Sequence, residues 1–193
     1  MNTPHDLSPF DASVFDFDGP AGLPDFSKLT ADRFEPAFEE AMASHAAEIS
    51  AIANADAPPS FDNTVAAMER AGALLRRVSA TFHALAGANT DDALQAVERA
   101  VSPRLSRHSS AISLNEALFA RVDALYEARH TLGLDAESLR LLERMHLGFV
   151  RSGARLVGGS DAPVERGDPV DAAAGPARYR SAARPGGRDA AGD

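Results

Sequence analysis

The chain has no cysteine and no tryptophan, only two tyrosines, and a single lysine, Lys28, against 18 arginines. Without cysteine there is no disulfide framework, no thiolate metal site and no Cys nucleophile, and the composition fits a reducing compartment. No apolar run approaches the roughly 18 residues needed to span a membrane. The opening MNTPHDLSPFDASVFDFDGP lacks the basic and apolar regions of a secretory signal. A soluble, cytoplasmic product is expected. Strand signals are missing as well: β-branched residues are sparse and no segment alternates with period two.

A further absence is local. From Val157 to Asp193 there are 37 residues with no Leu, Ile, Phe or Met, and 30 of them are Ala, Gly, Asp, Arg or Pro. Any core must come from the first 156 residues. Those carry 14 basic against 22 acidic side chains, net −8, and the tail carries 5 against 6, net −1. An acidic body argues against a nucleic-acid partner, whose phosphates need clustered cations.

What is present is helical periodicity. Residues 1–29 place Phe10, Phe15, Phe17 and Phe26 among Asp, Gly and Pro, which suits an extended segment laid over a surface. A first helix follows, with Thr30 and Asp32 as cap candidates and Pro36 tolerable only near its first turn. Its stripe is Phe34, Phe38, Ala41, Met42, His45, Ile49 and Ile52, ended by Ala57-Pro58-Pro59. A second is predicted from Asp62-Asn63-Thr64 through Val65, Met68, Gly72, Leu75, Ser79, Phe82 and Ala86, with Gly72 marking a close helix crossing. A third opens at Thr90-Asp91-Asp92 and carries Leu94, Val97, Val101, Leu105, His108 and Ile112, and Pro103 should break or kink it. Asn115 caps a fourth, with Leu118, Phe119, Val122, Leu125 and Tyr126. Asp135 caps a fifth, with Leu139, Leu142, Met145, His146 and Phe149. The expected fold class is all-α: about five antiparallel amphipathic helices over 30–156, an extended N-terminal segment, and a disordered tail over 157–193.

The chemistry is thin. There is no phosphate-binding GxxxxGK loop, GxGxxG turn, GxSxG elbow or HExxH zinc helix. The six histidines never fall three or four apart, so local hydrogen bonding at helix flanks is expected of them rather than metal binding. Glu39-Glu40 reads as solvated, Asp91-Asp92 as a helix start favoured by the dipole, and Arg76-Arg77 as a solvated face rather than an anion clamp. The tail's RYRSAARPGGR is similar to flexible RNA-binding segments, but its net charge argues against that role.

In combination, LPDFSKLTADRFEPAF, FDNT after a Pro-Pro loop, ALAGANTDD at a helix junction, LNEALFARV and the closing FVRSGARL closely resemble the N-terminal region of the thimet oligopeptidase family of zinc metallopeptidases. The peptidyl-dipeptidase branch, also called dipeptidyl carboxypeptidase, is the nearest in pattern, and the match covers about residues 23 to 156. The resemblance implies two helical lobes around a deep channel, with these helices forming part of one wall. It also implies a catalytic zinc on an HExxH helix far downstream. No such motif maps onto this chain, so no catalytic, cofactor-binding or metal-ligating residue is assigned, and zinc is expected only in intact family members.

The tail's composition and the excess of Arg over Lys suggest a GC-rich gene shifted out of frame near Val157 to Ser160; a natural linker with the same Ala, Gly and Pro bias is the alternative. The expected function is that of a fragment of a zinc oligopeptidase, inactive alone, partnered by short peptides or a missing catalytic lobe, with no nucleic acid and no membrane. The alternative is a non-catalytic helical module that binds protein or peptide. A fragment deprived of its covering lobe should expose apolar side chains, with Phe10, Phe15, Phe17 and Phe149 the candidates.

Overall fold

The computed structural model describes residues 12–15, 24–88 and 91–157, all within the unit Met1–Ser160. Phe10, Phe17 and the tail beyond Val157 lie outside the described residues. Among the described residues every regular element is helical, as the periodicity predicts. No helix among them is long and apolar enough to cross a membrane.

The long helices are α1 (Ala31–Ala53), α3 (Ala73–Ala88), α4 (Asp92–Ser113), α5 (Glu116–Glu127) and α6 (Ala136–Arg151). Short pieces complete the chain: a 3-10 turn at Ala12–Phe15, a second at Phe26–Lys28, a π-helical turn at Phe61–Ala66 running into α2 (Ala67–Arg70), and α7 (Ala154–Val157). Three of the expected caps are present. Asp91, Asn115 and Asp135 accept the backbone N–H of Leu94, Leu118 and Ser138 at 2.8, 2.9 and 2.7 Å. Each stabilises its helix by about 1 kcal/mol. Thr30 is extended at the start of α1, but its side chain makes no cap hydrogen bond.

One expectation fails and another holds only short of a break. Pro103 lies inside α4, which continues through it to Ser113, so the helix is not broken there. Pro103 and Arg99 both lie on the exposed face, so the Arg99 carbonyl that loses its i+4 donor faces solvent. The second helix is not continuous. Its N-cap is Ser60, which exchanges hydrogen bonds with Asn63 (Asn63 N to Ser60 Oγ 3.1 Å, Ser60 N to Asn63 Oδ1 2.8 Å) in a capping box. It then breaks at Ala71–Gly72, where Gly72 adopts φ +71°. The break shifts the apolar register, so Val78 and Phe82 are buried downstream while Ser79 is only half-buried.

The helices pack into two hydrophobic cores. The first joins Phe34, Phe38 and Ala41 of α1 to Val78 and Phe82 of α3 and to Leu94, Val97 and Val101 of α4. Its centre is a series of edge-to-face rings, Phe15–Phe34, Phe34–Phe82 and Phe38–Phe82, with centroids 5.1 to 5.7 Å apart. The second joins Ile49, Ile52 and Ala53 of the same α1 to Val65, to Leu118, Val122 and Leu125 of α5, and to Leu142 and Phe149 of α6. The expectation that Phe15 and Phe149 are exposed is therefore wrong: each is buried in one of these cores. Phe15 is placed there by its 3-10 turn, and Phe149 by the strongly one-sided face of α6. Among the described residues the exposed large apolar side chains are Phe26, Leu114, Leu132 and Leu147.

Gly72 is required twice over. Its φ lies in the left-handed region, and a Cβ there would stand 3.0 Å from three ring atoms of His45. The expected close approach exists, but it is a backbone turn against a side chain rather than two helices crossing. Gly72→Ala should lower the urea midpoint without changing the m-value. The left-handed conformation alone accounts for roughly 1–2 kcal/mol, and displacement of the His45 ring adds to it.

Candidate functional site

The polar side chains that the fold brings together form three clusters. The first lies where the two cores meet. His45, four residues before Ile49 on α1, faces His108 on α4, and His45 Nδ1 is 3.0 Å from His108 Nε2. The Gly72 backbone covers one side of His45, and Glu48, one turn along α1, accepts the Gly72 N–H at 2.6 Å. Arg76 donates to the carbonyls of Ala71 (2.5 Å) and Arg70 (3.3 Å), which would otherwise be unsatisfied at the break. Burial holds the His45 imidazole below its ordinary value, and the adjacent His108 and Arg76 push the same way against Glu48. Burial lowers His108 likewise. The bond between the two rings requires one nitrogen to donate and the other to accept, so it exists only while at least one ring is neutral.

The second cluster ties α5 to the loop after α1. Arg121 is buried, and its Nη1 donates to the carbonyls of Ala55 and Ala57 (3.1 Å each) while Nη2 donates to Asn63 Oδ1 (3.1 Å). Asn63 in turn donates from Nδ2 to the Pro58 carbonyl at 2.9 Å. Pro58 and Pro59 have no N–H, so the loop cannot close on itself by backbone bonds, and the guanidinium supplies donors from outside. The third cluster is a stack across α5 and α6. The buried His146 ring lies parallel to Tyr126, centroids 3.8 Å apart, with Phe119 on its other face at 5.8 Å. Asp123 accepts from His146 Nε2 at 2.8 Å, and the Arg129 guanidinium lies 4.0 Å over the Tyr126 ring.

The remaining residues considered from sequence fall as follows. Asp91-Asp92 is a helix start as expected. Glu39 is not simply solvated: with Glu35 it forms an ion pair to Arg104 of α4, at 2.5 and 2.8 Å. Arg76 is exposed, as expected of a solvated face, and its guanidinium also serves the carbonyls at the helix break. Among the described histidines only His83 has a local hydrogen bond, to the Ser79 carbonyl at 2.7 Å; His45, His108 and His146 act between helices. The His45–His108 pair, Arg121 and the hub role of Asn63 were all missed. No spacing rule signals them, because the bonds that join them link residues 58 to 66 positions apart in sequence.

A catalytic zinc needs three protein ligands around an open water position. Among the described residues no three His, Asp or Glu side chains converge in that way. The His45–His108 pair is joined nitrogen to nitrogen, so these donors do not fit that metal. An open groove of about 730 Å³ between α3 and α4, with Glu98 and Arg99 side by side, gathers no convergent polar set either.

The chain is 47% identical over 137 residues to a dipeptidyl carboxypeptidase of Salmonella typhimurium, and 44% identical over 133 residues to one of Escherichia coli. The matches take in 71% and 69% of this chain. This helical region is homologous to dipeptidyl carboxypeptidases. The matched part spans about a fifth of the length of either dipeptidyl carboxypeptidase, each covered to 20%. No protein-family model matches the chain. The sequence motifs that carry the dipeptidyl carboxypeptidase resemblance fall on the Arg121–Asn63 cluster, on helix caps and on the second core. FDNT contains Asn63, LNEALFARV contains both Asn115 and Arg121, ALAGANTDD contains Asp91, and FVRSGARL contains Phe149 and the buried Ala154.

Two outcomes follow from these clusters. Arg121→Met keeps the apolar stem but takes the guanidinium donor from the Ala55 and Ala57 carbonyls and one of the donors from Asn63 Oδ1, and should lower stability by roughly 2–4 kcal/mol in urea denaturation. For the histidine pair, folded-state pKa values below the ordinary one mean that the fold favours neutral rings. That stability is complete above about pH 6.5 and is lost as pH falls through the lower folded values. The urea midpoint should therefore drop between pH 7 and pH 5, and His108→Gln should flatten that dependence.

Proposed function

We propose that residues 24–156 form part of the substrate-channel wall of a zinc-dependent peptidase of the dipeptidyl carboxypeptidase kind, and that the chain by itself does not hydrolyse peptides. The observation that carries this reading is the identity of 44–47% to two dipeptidyl carboxypeptidases over about 70% of the chain. The clusters agree with it. Each ties one element to another mainly through hydrogen bonds and stacking within the chain, which suits a rigid wall better than a reaction centre. A wall restricts which substrates enter, and its contribution to catalysis is exclusion and orientation rather than bond-making.

Two measurements test the reading. A short peptide with a blocked N-terminus and a free C-terminus, incubated with the purified chain and added zinc, should release no dipeptide. Chelator-sensitive release would overturn the expected inactivity. In the complementary experiment, residues 24–156 replace the matching segment of the Salmonella enzyme. The chimera should keep peptide-cleaving activity, whereas a folded but inactive chimera would count against a shared wall.

A further inference from the structure

The outer face of α6 differs in charge from the rest of the molecule. The chain carries a formal net charge of −9, yet Arg140, Arg144 and Arg155 converge on one pocket of about 360 Å³. All three are exposed, and Glu143 is the lone acidic side chain lining that pocket among the described residues. Arg140 and Arg144 are one helical turn apart and so present their guanidinium groups side by side. Arg151, seven residues beyond Arg144, continues the same face. The ion pairs already present are long: Arg140 to Glu143 is 3.7 Å and Arg155 to Asp123 is 3.7 Å. Asp123 is engaged more closely by His146, at 2.8 Å. Arg144 has no ion pair among the described residues, so guanidinium capacity is left for an outside carboxylate.

Beside these cations the pocket is apolar. Leu147 is 44% exposed and lies with Val150 along the same lining, and Tyr126 and buried His146 form its floor. Tyr126 offers no free face, since His146 covers one side of its ring and Arg129 lies over it at 4.0 Å. A planar base has nowhere to stack, which removes the usual grip on single-stranded nucleic acid. Paired guanidinium groups favour carboxylates in fork geometry.

We propose that this pocket on α6 is a docking site for an acidic peptide segment of a partner polypeptide, with carboxylates on Arg140, Arg144 and Arg155 and an apolar side chain against Leu147 and Val150. The charge complementarity to an otherwise acidic chain selects that occupant, and the proposal stands independently of the peptidase reading. The test is fluorescence anisotropy on the full chain with a short labelled peptide built of Glu and Leu. Arg144→Ala and Arg155→Ala should each weaken binding, by up to about fivefold for an exposed charge pair. Added salt should weaken it further. Leu147→Ser should also weaken it, which a purely electrostatic association would not show, and Arg33→Ala on the distant α1 should leave it unchanged. No binding, binding indifferent to Arg144 and Leu147, or equal binding of a DNA oligonucleotide would overturn the proposal. So would self-association abolished by Arg144→Glu, which would assign the face to a second copy of the chain.

Discussion

The structure depends on the contact between Gly72 and the His45 ring. A Cβ at this position would stand 3.0 Å from the imidazole, so a residue without one lets the backbone pass this close, and it also lets the chain turn with φ +71° at little cost. The turn divides one amphipathic segment in two. The part before it faces the second core through Val65 and Ala71, and the part after it faces the first through Leu74, Val78 and Phe82. The surrounding groups all serve this division. Glu48 satisfies the freed N–H of Gly72, Arg76 satisfies the carbonyls of Ala71 and Arg70, and His108 closes the gap from α4.

Much of this was legible one helix at a time. The 3.6-residue stripes of α1, α4, α5 and α6 identify the buried Phe34, Phe38, Val97, Val101, Leu118, Val122 and Leu142, because amphipathic periodicity and burial share a cause. The caps at Asp91, Asn115 and Asp135 are local chemistry and read directly. What failed was non-local. A stripe running through Gly72 has nearly the same spacing whether the helix continues or breaks, and the partner that decides it, His45, lies 27 positions earlier. Pro103 is tolerated inside α4, since a proline's cost depends on whether the orphaned carbonyl faces core or water.

The three polar clusters were illegible for the same reason, yet the family resemblance marked the position of one of them. Asn63 and Arg121 sit in two separate motifs and meet only in the folded chain. A resemblance built on such motifs records the joints of a scaffold rather than its chemistry. That is why it could indicate a peptidase relationship while supplying no nucleophile, base or ligand set. The one-sided charge of α6 escaped notice for a simpler reason: a net charge of −9 averages over the surface and hides a local excess of arginine.

Helix α1 is common to both cores, with Phe34, Phe38 and Ala41 committed to one and Ile49, Ile52 and Ala53 to the other. Its 23 residues span roughly 35 Å at the rise of an α-helix. Neither core can lose α1 without exposing apolar surface in its neighbour as well. The two cores are thus coupled through a single rod, and opening at one end is transmitted along one continuous helix to the other. Backbone amides in the middle of α1 should be the last in the molecule to exchange with solvent, so the deepest protection belongs to the rod between the cores rather than to the centre of either one.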